Sequence, residues 1–435
     1  MMLRRDALNK KMILTPEQQR ALDIVLEGSN LFITGPGGVG KSMLLKTIAD
    51  ALRTAAAGKK VVGMTAMTGS AALLLKGSTL HSYLNIGLGK DDRRELVRKL
   101  RNHQRRQRWV ETDVLIIDEV SMLSSELFDK CEYIARLLRR SPDKPFGGMQ
   151  LVLSGDFCQL PCVDSSSSSF CFESSTWRTC LPTTVYITTI MRQADDEQFQ
   201  ACLNRARLGE LTEEDCVYLK GGGDDDNDDD DDVKSIRPTQ IFCCNKDVDK
   251  INEKQLMALK DDNRLYCYEM EIERKPHYTG PIVPSKYCNA KELLKLSKGA
   301  QVMLLYNKDV LKGLVNGSRG VVTAFEDDGL PVVTFSNGSR YTIDYHEWEA
   351  TEGSEVIGSL FQIPLKLAYA ITVHKSQGLT LDKASIDLEG VFEYGQAYVA
   401  LSRVKTLRGL TLRGFDRHSF KAHPKAVAYY KSLKD

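Results

Sequence analysis

Apolar residues in the first part of the chain fall into short continuous runs, separated by longer segments with helical periodicity. Runs of strand length occur at Leu31–Thr34, Val61–Thr65, Val114–Ile117 and Leu151–Leu153. Residues 43–56 repeat their apolar side chains at the three- and four-residue spacing of a helix. Continuous apolar strands that alternate with helices are typical of a parallel sheet covered on both faces. The pattern therefore predicts an α/β lobe.

The later part of the chain predicts a second α/β lobe that is interrupted by an all-β region. Thr239–Cys244 and Leu365–Val373 are apolar runs that we expect to be strands of this lobe. The sequence between them consists of short β-prone runs, and Asn337-Gly338 is a strong signal for a two-residue hairpin. A small β-barrel inserted into the second lobe would fit this region. Its β-prone runs are Gln301–Tyr306, Gly320–Phe325 and Val332–Phe335.

Two charged segments stand out in a chain that is nearly neutral overall. The 435 residues carry a formal net charge of +1, so the total gives no argument for a polyanionic partner. Lys90–Arg108 is rich in arginine and lysine and has a helical pattern, whereas Asp224–Asp232 is almost entirely aspartate. Each segment also fits a solvated surface. Residues 221–233 and Ser165–Ser169 cannot bury apolar surface, and we expect both to be disordered loops.

The rest of the composition limits where the protein can act. The longest apolar stretches have the length of a strand, which excludes a membrane-spanning helix and a membrane partner. The 11 cysteines form no paired C-x-x-C knuckle and favour reduced thiols in an intracellular protein. The first residues contain no apolar core of signal-peptide length. We expect a nuclear or mitochondrial protein if the source is eukaryotic, and a cytoplasmic one otherwise.

The segment after the first predicted strand matches the phosphate-binding pattern G-x-x-x-x-G-K-[ST]. It stands between a strand and a helix, which is the context that this motif requires. Glycines let backbone N–H groups turn toward phosphate oxygens, the lysine can reach the β and γ phosphates, and the serine hydroxyl can ligate Mg²⁺. The sequence thus predicts an ATP site with Mg²⁺ as its cofactor. Its residues are Gly35, Pro36, Gly37, Gly38, Val39, Gly40, Lys41 and Ser42.

Polar side chains follow two further predicted strands. Asp118 and Glu119 come directly after Ile117, where we expect Asp118 to hold Mg²⁺ and Glu119 to orient and deprotonate the attacking water. Asp156 and Gln159 lie just past the next strand, at the edge where parallel sheets bind ligands. The Gln159 amide can sense the γ-phosphate there, although alone it would be an ordinary loop residue. These features predict an ATPase.

Ordered sequence blocks extend over nearly the whole chain, from about Thr15 to about Phe415. They include TPEQQRAL, GPGGVGKS, IIDEVSML, LVLSGDFCQLP and AITVHKSQGLT. In this order they resemble the PIF (petite integration frequency) family of superfamily 1 DNA helicases. The resemblance implies an ATP-dependent DNA helicase that moves 5′ to 3′ on single-stranded DNA. It would unwind duplex or structured DNA in replication, repair, recombination and telomere maintenance.

The resemblance also implies an architecture. We expect an α/β protein with two RecA-like P-loop lobes that have parallel sheets, a small basic insertion in the first lobe and a small β-barrel inserted in the second. The expected boundaries are 1–185 for the first lobe with its insertion at about 86–110, 186–280 and 361–435 for the two parts of the second lobe, and 281–360 for the barrel.

Further nucleotide contacts follow from the resemblance. It implies that Gln18 reads the adenine edge, a task that suits an amide with both a donor and an acceptor. It also implies that Arg192 and Arg403 of the second lobe reach the γ-phosphate across the cleft and act in catalysis together with Lys41, Glu119 and Gln159. Gln377 and Gly378 would lie between the nucleotide and the DNA.

The expected DNA contacts come from both lobes. Hydroxyl, imidazole and ammonium groups suit phosphate contacts that position a strand without reading its sequence. Taken alone, the two histidines would be ordinary surface or core residues, and Tyr398 is either a stacking platform for a base or a packed helix residue. The residues are Thr65, Thr68 and His81 in the first lobe, and His374, Lys375, Ser376 and Tyr398 in the second.

The sequence leaves alternatives to an unwinding enzyme. One is a single-strand translocase that remodels complexes without efficient unwinding, and another is a catalytically silent scaffold that binds nucleic acid. The expected partners are ATP and single-stranded and forked DNA, bound by a monomer. The basic segment lies where the family has an insertion at the duplex junction, which makes strand separation a hypothesis for it. Cys162 departs from the family pattern, where a second proline is common.

Overall fold

The computed structural model describes most of the chain. The described residues are 14–54, 60–87, 89–100, 103–162, 169–193, 196–222, 239–243, 248–259, 264–306, 308, 314, 317–352 and 355–433. The aspartate run 224–232, Cys244 and most of the serine run therefore lie outside them. Within the described ranges, no helix combines the length and apolar character needed to cross a membrane.

Strands dominate the centre of each lobe and the region between residues 265 and 367. In chain order they are β1 (Leu31–Thr34), β2 (Val62–Ala66), β3 (Ser78–Thr79), β4 (Val114–Asp118), β5 (Gln150–Gly155), β6 (Thr183–Tyr186), β7 (Thr239–Phe242), β8 (Leu265–Glu269), β9 (Glu271–Arg274), β10 (Leu293–Ser297), β11 (Gln301–Leu304), β12 (Arg319–Phe325), β13 (Pro331–Phe335), β14 (Arg340–Thr342), β15 (His346–Glu352), β16 (Glu355–Gln362), β17 (Leu365–Leu367), β18 (Ala370–Thr372), β19 (Ala384–Asp387) and β20 (Leu410–Arg413).

Helices connect the strands and cover the sheets. In chain order they are α1 (Pro16–Leu26), α2 (Lys41–Thr54), α3 (Gly69–Leu74), α4 (Leu80–Tyr83), α5 (Arg93–Lys99), α6 (His103–Glu111), α7 (Ser125–Leu138), α8 (Trp177–Cys180), α9 (Glu197–Leu208), α10 (Glu213–Lys220), α11 (Val248–Ala258), α12 (Val373–Ser376), α13 (Gln396–Leu401) and α14 (Pro424–Ser432).

The first lobe is built on a six-stranded sheet in the order β3-β2-β4-β5-β1-β6. Every pairing in it is parallel, and the four strands predicted from apolar runs are all present. Residues of β1, β4 and β5 are buried throughout, because helices cover both faces. The predicted parallel α/β lobe is therefore confirmed.

A four-stranded parallel sheet in the order β18-β7-β19-β20 forms the second lobe. The prediction of a single strand at Leu365–Val373 is wrong, because these residues form two strands that belong to different sheets. β17 pairs antiparallel with β11, whereas β18 pairs parallel with β7. Asn252 holds the crossing point, since its Oδ1 accepts hydrogen bonds from the backbone N–H groups of Tyr369 (3.1 Å) and Ala370 (3.0 Å).

The region between the two parts of the second lobe consists of antiparallel sheets, with the orders β14-β13-β12-β11-β17, β15-β16-β9 and β10-β8. The hairpin predicted at Asn337-Gly338 joins β13 to β14, with Gly338 at a φ of +80°. Closure of these sheets into a barrel stays a prediction. The β region also extends beyond the expected boundaries of 281 and 360, because it includes β8, β9 and β17.

The C-terminal helix α14 returns to the first lobe. Ala426 and Tyr430 are buried in the same apolar core as Phe32, Phe157 and other residues of the first lobe. The expectation that residues 361–435 all belong to the second lobe therefore needs a correction. Two connections link the lobes: the segment after β6 and the segment between β20 and α14.

The basic segment forms α5 and α6, as its helical pattern predicted. Leu96, Leu100 and Trp109 are buried in the core of the first lobe, and the Trp109 Nε1 donates to Leu84 O at 2.8 Å. Arg105 and Arg106 are exposed. The insertion is thus anchored to the lobe by its apolar side chains and presents arginines to the solvent.

Candidate nucleotide and nucleic-acid site

The glycine loop connects β1 to α2, and its conformation explains its composition. Gly35, Gly38 and Gly40 have φ values of +146°, +90° and +81°, which side chains rarely adopt. A Cβ at Gly35 would also lie 2.2 Å from Ile187 O. The loop can therefore take this shape only with glycine at these positions, and its backbone N–H groups become available to phosphate at the start of α2.

Lys41 lies over the loop and among three carboxylates. Its Nζ donates to Gly35 O (2.7 Å) and Pro36 O (2.8 Å). Burial lowers the pKa of Lys41, while the charges of Asp156, Glu119 and Asp118 act in the opposite direction. The ammonium group is thus held at the position where the motif requires a cation for the β and γ phosphates.

Ser42 and Asp118 form a pair of oxygen donors that suits Mg²⁺. The Ser42 Oγ donates to Asp118 Oδ2 at 2.8 Å, which joins the start of α2 to the end of β4. Asp118 is buried, and its Oδ1 accepts from the Glu119 N–H at 2.9 Å. Hydroxyl and carboxylate oxygens are the ligands that Mg²⁺ prefers, and it binds with few protein ligands and several waters. The residues present therefore fit the metal that the sequence predicts.

Glu119 occupies an unusual backbone position next to Asp118. Its φ of 56° and ψ of 44° place it in the left-handed region, which turns its side chain toward the second lobe. Its Oε2 accepts a hydrogen bond from Gln377 Nε2 at 2.8 Å. Burial, with a further contribution from Asp118, raises the pKa of Glu119 to about 7, while the charges of Lys41 and Arg403 oppose the rise. Such a pKa is suited to a general base.

The segment after β5 contains the other two predicted polar residues. Asp156 is buried and accepts two hydrogen bonds from Arg207, at 2.9 Å from Nε and 2.7 Å from Nη2. Burial would raise the pKa of Asp156, but the charge and hydrogen bonds of Arg207 hold it below the ordinary value. Gln159 is also buried, and its N–H donates to Asp156 O at 2.9 Å. Asp156 therefore anchors the turn that holds Gln159.

Of the two predicted arginines of the second lobe, Arg192 contacts the glycine loop directly, and Arg403 bonds to Ser402, to which Arg192 also bonds. The backbone N–H of Arg192 donates to Gly38 O at 3.2 Å, and its Nη1 donates to Ser402 O at 2.6 Å. Arg403 Nη2 donates to Ser402 Oγ at 2.7 Å. Burial and the nearby charge of Arg403 lower the pKa of Arg192 to about 9, and burial also lowers the pKa of Arg403. A buried and a half-buried guanidinium, neither with a carboxylate hydrogen bond in the described structure, make a strong site for phosphate charge.

Gln18 and Tyr398 contact the loop from opposite lobes. The Gln18 Nε2 donates to Val39 O at 3.1 Å. Tyr398 is 3% exposed, and its Oη accepts a hydrogen bond from the Gly37 N–H at 2.7 Å. The assignment of Tyr398 to DNA is therefore wrong: it is the packed helix residue of the two alternatives, and it contacts the nucleotide loop.

Gln377 and Gly378 lie where the two lobes meet. Gln377 is buried and reaches Glu119, as described above. Gly378 has a φ of +79°, and a Cβ there would lie 2.8 Å from Leu74 of the first lobe. The segment that carries them therefore joins the base of the nucleotide site to the surface beyond it.

Sequence reasoning missed three residues of this site. Gln193 is buried at the loop and donates from Nε2 to Val404 O at 2.7 Å. Its position directly after Arg192 was a signal for it. Arg207 and Tyr430, which surround Asp156, gave no such signal, because their sequence neighbours are ordinary helix residues.

A cavity of about 750 Å³ opens on the far side of Gln377. First-lobe residues Gly69, Ser70 and Leu74 line one wall, and most of the rest comes from α11, β10, β17, β18, α12 and the segment 285–291. We call it the lysine groove, because it is lined by Lys291, Lys295, Lys366 and Lys375. Burial and the charge of Lys375 lower the pKa of Lys366 to about 8. Asp249 and Glu253 also line the groove, and Asp249 pairs with Lys291 at 3.2 Å, so the four lysines outnumber the carboxylates and the excess of cations fits a phosphate backbone.

The predicted DNA contacts divide into two groups. His374 and Lys375 line the lysine groove, and His374 Nε2 lies 3.3 Å from Glu393 Oε2. Thr65 and Ser376, in contrast, are fully buried, and their hydroxyls donate to Ile116 O and Val373 O, both at 2.7 Å. Internal carbonyls hold both hydroxyl protons in this structure, so neither residue presents a free donor to a phosphate, and their contact with DNA stays a prediction.

Thr68 and His81 lie on the first-lobe side. Thr68 caps α3, with its Oγ1 accepting from the Ala71 N–H at 3.2 Å, and it is half-buried. His81 is half-buried in α4. Neither lines the lysine groove, so their contact with DNA stays a prediction.

Two known protein families match parts of this chain. The PIF1-like helicase family matches residues 13–216, and the 2B domain of DNA helicase Pif1 matches residues 286–325. The first match contains the glycine loop, the acidic strand end and Arg192. The second contains part of the antiparallel β region.

Individual relatives cover nearly the whole chain. It is 39% identical to the ATP-dependent DNA helicase PIF1 of Xenopus laevis over 98% of its length and 38% identical to the human protein of that name over 97%. These alignments span 66% and 64% of the two relatives, so the chain covers about two thirds of their length. It is also 33% identical to the uncharacterised protein 030L of invertebrate iridescent virus 6, with 98% of this chain and 96% of that protein aligned.

Two solved structures share the fold. The Pif1 helicase of Candida albicans is 35% identical, with a TM-score of 0.78 and coverage of 97% of this chain and all of that one. A Bacteroides Pif1 in complex with ADP-AlF4 is 30% identical, with a TM-score of 0.81 and coverage of 97% of both chains. A parallel-sheet α/β fold of this class is thus common to all three.

Proposed function

The chain belongs to the PIF1-like helicase family, and we propose on this premise that it is an ATP-dependent DNA helicase. It would move 5′ to 3′ on single-stranded DNA and unwind duplex or structured DNA in genome maintenance. The observation that carries the proposal is the meeting of the two lobes at one site. The backbone N–H of Arg192 bonds to Gly38 O of the glycine loop, and the charge of Arg403 acts on Glu119 of the first lobe, so hydrolysis would require both lobes.

The described side chains divide the work of ATP hydrolysis. Lys41 and the loop N–H groups would bind the β and γ phosphates, and Glu119 would orient the attacking water and accept its proton. Ser42 and Asp118 would hold Mg²⁺, which neutralises phosphate charge when bound. Gln159 would contact the γ-phosphate, and Gln18 the adenine. The two arginines would stabilise charge in the transition state.

Gln377 supplies a physical route between DNA and ATP. It belongs to the segment after α12 and donates to Glu119, while His374 and Lys375 of α12 line the lysine groove. A strand that shifts α12 would therefore shift the hydrogen bond to the proposed general base. This connection favours DNA-stimulated hydrolysis over a nucleotide site that works independently.

The lysine groove is the proposed path of single-stranded DNA. One solved relative is a Bacteroides Pif1 bound to single-stranded DNA. Another solved structure addresses the unwinding of forked double-stranded DNA by two coordinating Pif1 helicases. For this chain we propose single-stranded and forked DNA and ATP as partners, action as a monomer, and a nuclear or mitochondrial location if the source is eukaryotic.

The exposed arginines of α5 and α6 are proposed to help separate strands. Arg98 and Lys99 already pair with Glu95 and Asp91, at 2.8 and 2.7 Å. Arg105 and Arg106 are exposed and therefore the better candidates for duplex phosphates. Replacing both by glutamine should reduce the slope of log affinity against log salt by about 2 for forked DNA. An unchanged slope would remove the insertion from the mechanism.

Unwinding of tailed substrates tests the main proposal. We expect the protein to unwind 5′-tailed duplexes with ATP, and to leave 3′-tailed and blunt duplexes intact. Lys41→Ala should abolish both DNA-stimulated phosphate release and unwinding, whereas Lys46→Ala on the same helix should retain them. Unwinding of only the 3′-tailed duplex would overturn the polarity. Phosphate release without unwinding would favour the translocase, and equal inactivity of wild type and Lys41→Ala would favour the scaffold.

A further inference from the structure

Tyr430 of α14 lies where two strands of the first lobe enter the nucleotide site. β1 and β5 are neighbours, and Thr34 pairs with Gly155 at the last position of each. The glycine loop begins one residue after Thr34, and Asp156 follows Gly155. The Tyr430 side chain is 3% exposed and reaches both strand ends. α14 thus brings a polar group into the base of a site that is otherwise built from the P-loop and its neighbouring strands.

The hydroxyl of Tyr430 both donates and accepts a hydrogen bond. The Thr34 Oγ1 donates its proton to Gly155 O at 2.9 Å, so in the 2.7 Å contact with Tyr430 the tyrosine must be the donor. The Phe157 N–H in turn donates to the Tyr430 Oη at 2.9 Å. One hydroxyl therefore ties the end of β1 to the segment that follows β5. Its loss would leave the buried Phe157 N–H without this acceptor.

The second lobe contacts the same tyrosine. The guanidinium of Arg207, from α9, lies 4.4 Å from the centre of the Tyr430 ring while it binds both oxygens of Asp156. Arg207 and Asp156 are 4% and 0% exposed, so their positions are fixed by each other and by the ring. Burial, with the charge of Asp156, keeps the pKa of Tyr430 well above its ordinary value, and the hydroxyl stays protonated. Both lobes thus meet on this ring.

We propose that Tyr430 is a positioning residue for ATP hydrolysis. It keeps the glycine loop and the turn that carries Gln159 at a fixed position relative to each other, and its ring packs against Arg207 of the second lobe. The inference rests on the proposed ATPase activity. Because Tyr430 acts through the loop and Gln159, its hydroxyl should matter more for turnover than for nucleotide affinity.

Tyr430→Phe removes only the hydroxyl and keeps the ring under Arg207. In the full chain, we expect kcat for DNA-stimulated ATP hydrolysis to fall about tenfold, with KM for ATP changed less than about twofold, because small displacements of reacting groups reduce turnover strongly. Tyr429→Phe is the matched control, since Tyr429 precedes Tyr430 and stacks on Phe172 at 4.4 Å. Its kcat should equal that of the wild type.

Thr34 provides a second test with a conservative rescue. Thr34→Val should lower kcat and should add little to the effect of Tyr430→Phe, because both remove the same hydrogen bond. Thr34→Ser should restore kcat. If Tyr430→Phe lowers the melting temperature but keeps wild-type kcat, the residue is merely structural and the inference fails. Inactivity of the wild-type protein itself would instead contradict the proposed function.

Discussion

The nucleotide site and the lysine groove hold their polar side chains in different ways. In the nucleotide site, Glu119 and Tyr398 each bond to a group from the opposite lobe, and the Arg192 side chain bonds to Ser402 O while its backbone N–H bonds to Gly38 O of the first lobe. In the lysine groove, Lys291 and Lys375 are exposed, and Lys295 and Lys366 are half-buried. The first region therefore depends on the exact partner of each residue, whereas the second depends on the sum of several charges. Single substitutions should have large effects in the nucleotide site and small ones in the groove.

The largest effect is expected at Arg403. Arg403→Ala removes a guanidinium whose charge acts on Glu119, and kcat for ATP hydrolysis should fall about 10³-fold if Arg403 is the arginine finger that we propose. Affinity for single-stranded DNA should change less than about twofold. Phosphate release and DNA anisotropy measure the two quantities. Arg408→Ala, an exposed arginine nearby, should behave as the wild type.

Because Arg403 is buried, the alanine variant could lose activity through misfolding. Arg403→Lys keeps the positive charge without the planar fork, and it should remain folded with kcat still reduced at least about tenfold. Full activity of the lysine variant would show that any nearby cation is enough. The contrast with the groove would then be weaker than we propose.

Glu119→Gln is expected to have the next largest effect. The amide keeps the shape of the side chain and can still accept the hydrogen bond from Gln377, but it cannot accept a proton from water. We expect kcat to fall about 10²-fold with ATP and DNA affinity retained, within the range of general-base catalysis. Glu126→Gln on α7, where the residue is exposed, is the matched control. Retained hydrolysis would assign the base to another residue.

The difference between the two regions also explains what the sequence could predict. The glycine loop is local, so the spacing of its residues determines its geometry, and strand ends of a parallel sheet bring Asp118 and Asp156 to it. Thr65 and Ser376 match the motif equally well, but their hydroxyls are bonded to buried carbonyls. Sequence cannot show which partner a hydroxyl takes. Nor could it place Tyr430, which is 396 residues from Thr34 along the chain.

Lys366 should give a smaller effect that depends on pH. Its pKa of about 8 means that the side chain loses its proton as the pH rises from 7 to 9. Phosphate binds the charged form, so affinity for single-stranded DNA should fall about tenfold over this range. Lys366→Met should flatten the dependence, whereas the exposed Lys298→Met should not. The other ionisable groups that line the groove are Asp249, Glu253, Lys291, His374, Lys295 and Lys375.

Parallel titration of DNA affinity for Lys366→Met and Lys298→Met separates Lys366 from these neighbours. If the wild type and Lys366→Met lose affinity equally between pH 7 and 9, another group of the groove carries the titration. Lys366 would then have no direct role in binding the strand.

The smallest effect is expected where motif and structure disagree. Thr65→Val keeps the shape of the buried side chain and removes the hydrogen bond to Ile116 O, so it should cost about 1 kcal/mol of unfolding free energy. DNA affinity should change less than about twofold.

Lys375→Ala should instead leave stability unchanged and reduce the salt slope of DNA binding by about 1. Because the two substitutions come from motifs with the same expected role, their opposite outcomes would show that accessibility decides which motif residues bind the strand. A large loss of DNA affinity in a stable Thr65→Val protein would mean that the hydroxyl leaves Ile116 when DNA binds, and that the groove is as specifically built as the nucleotide site.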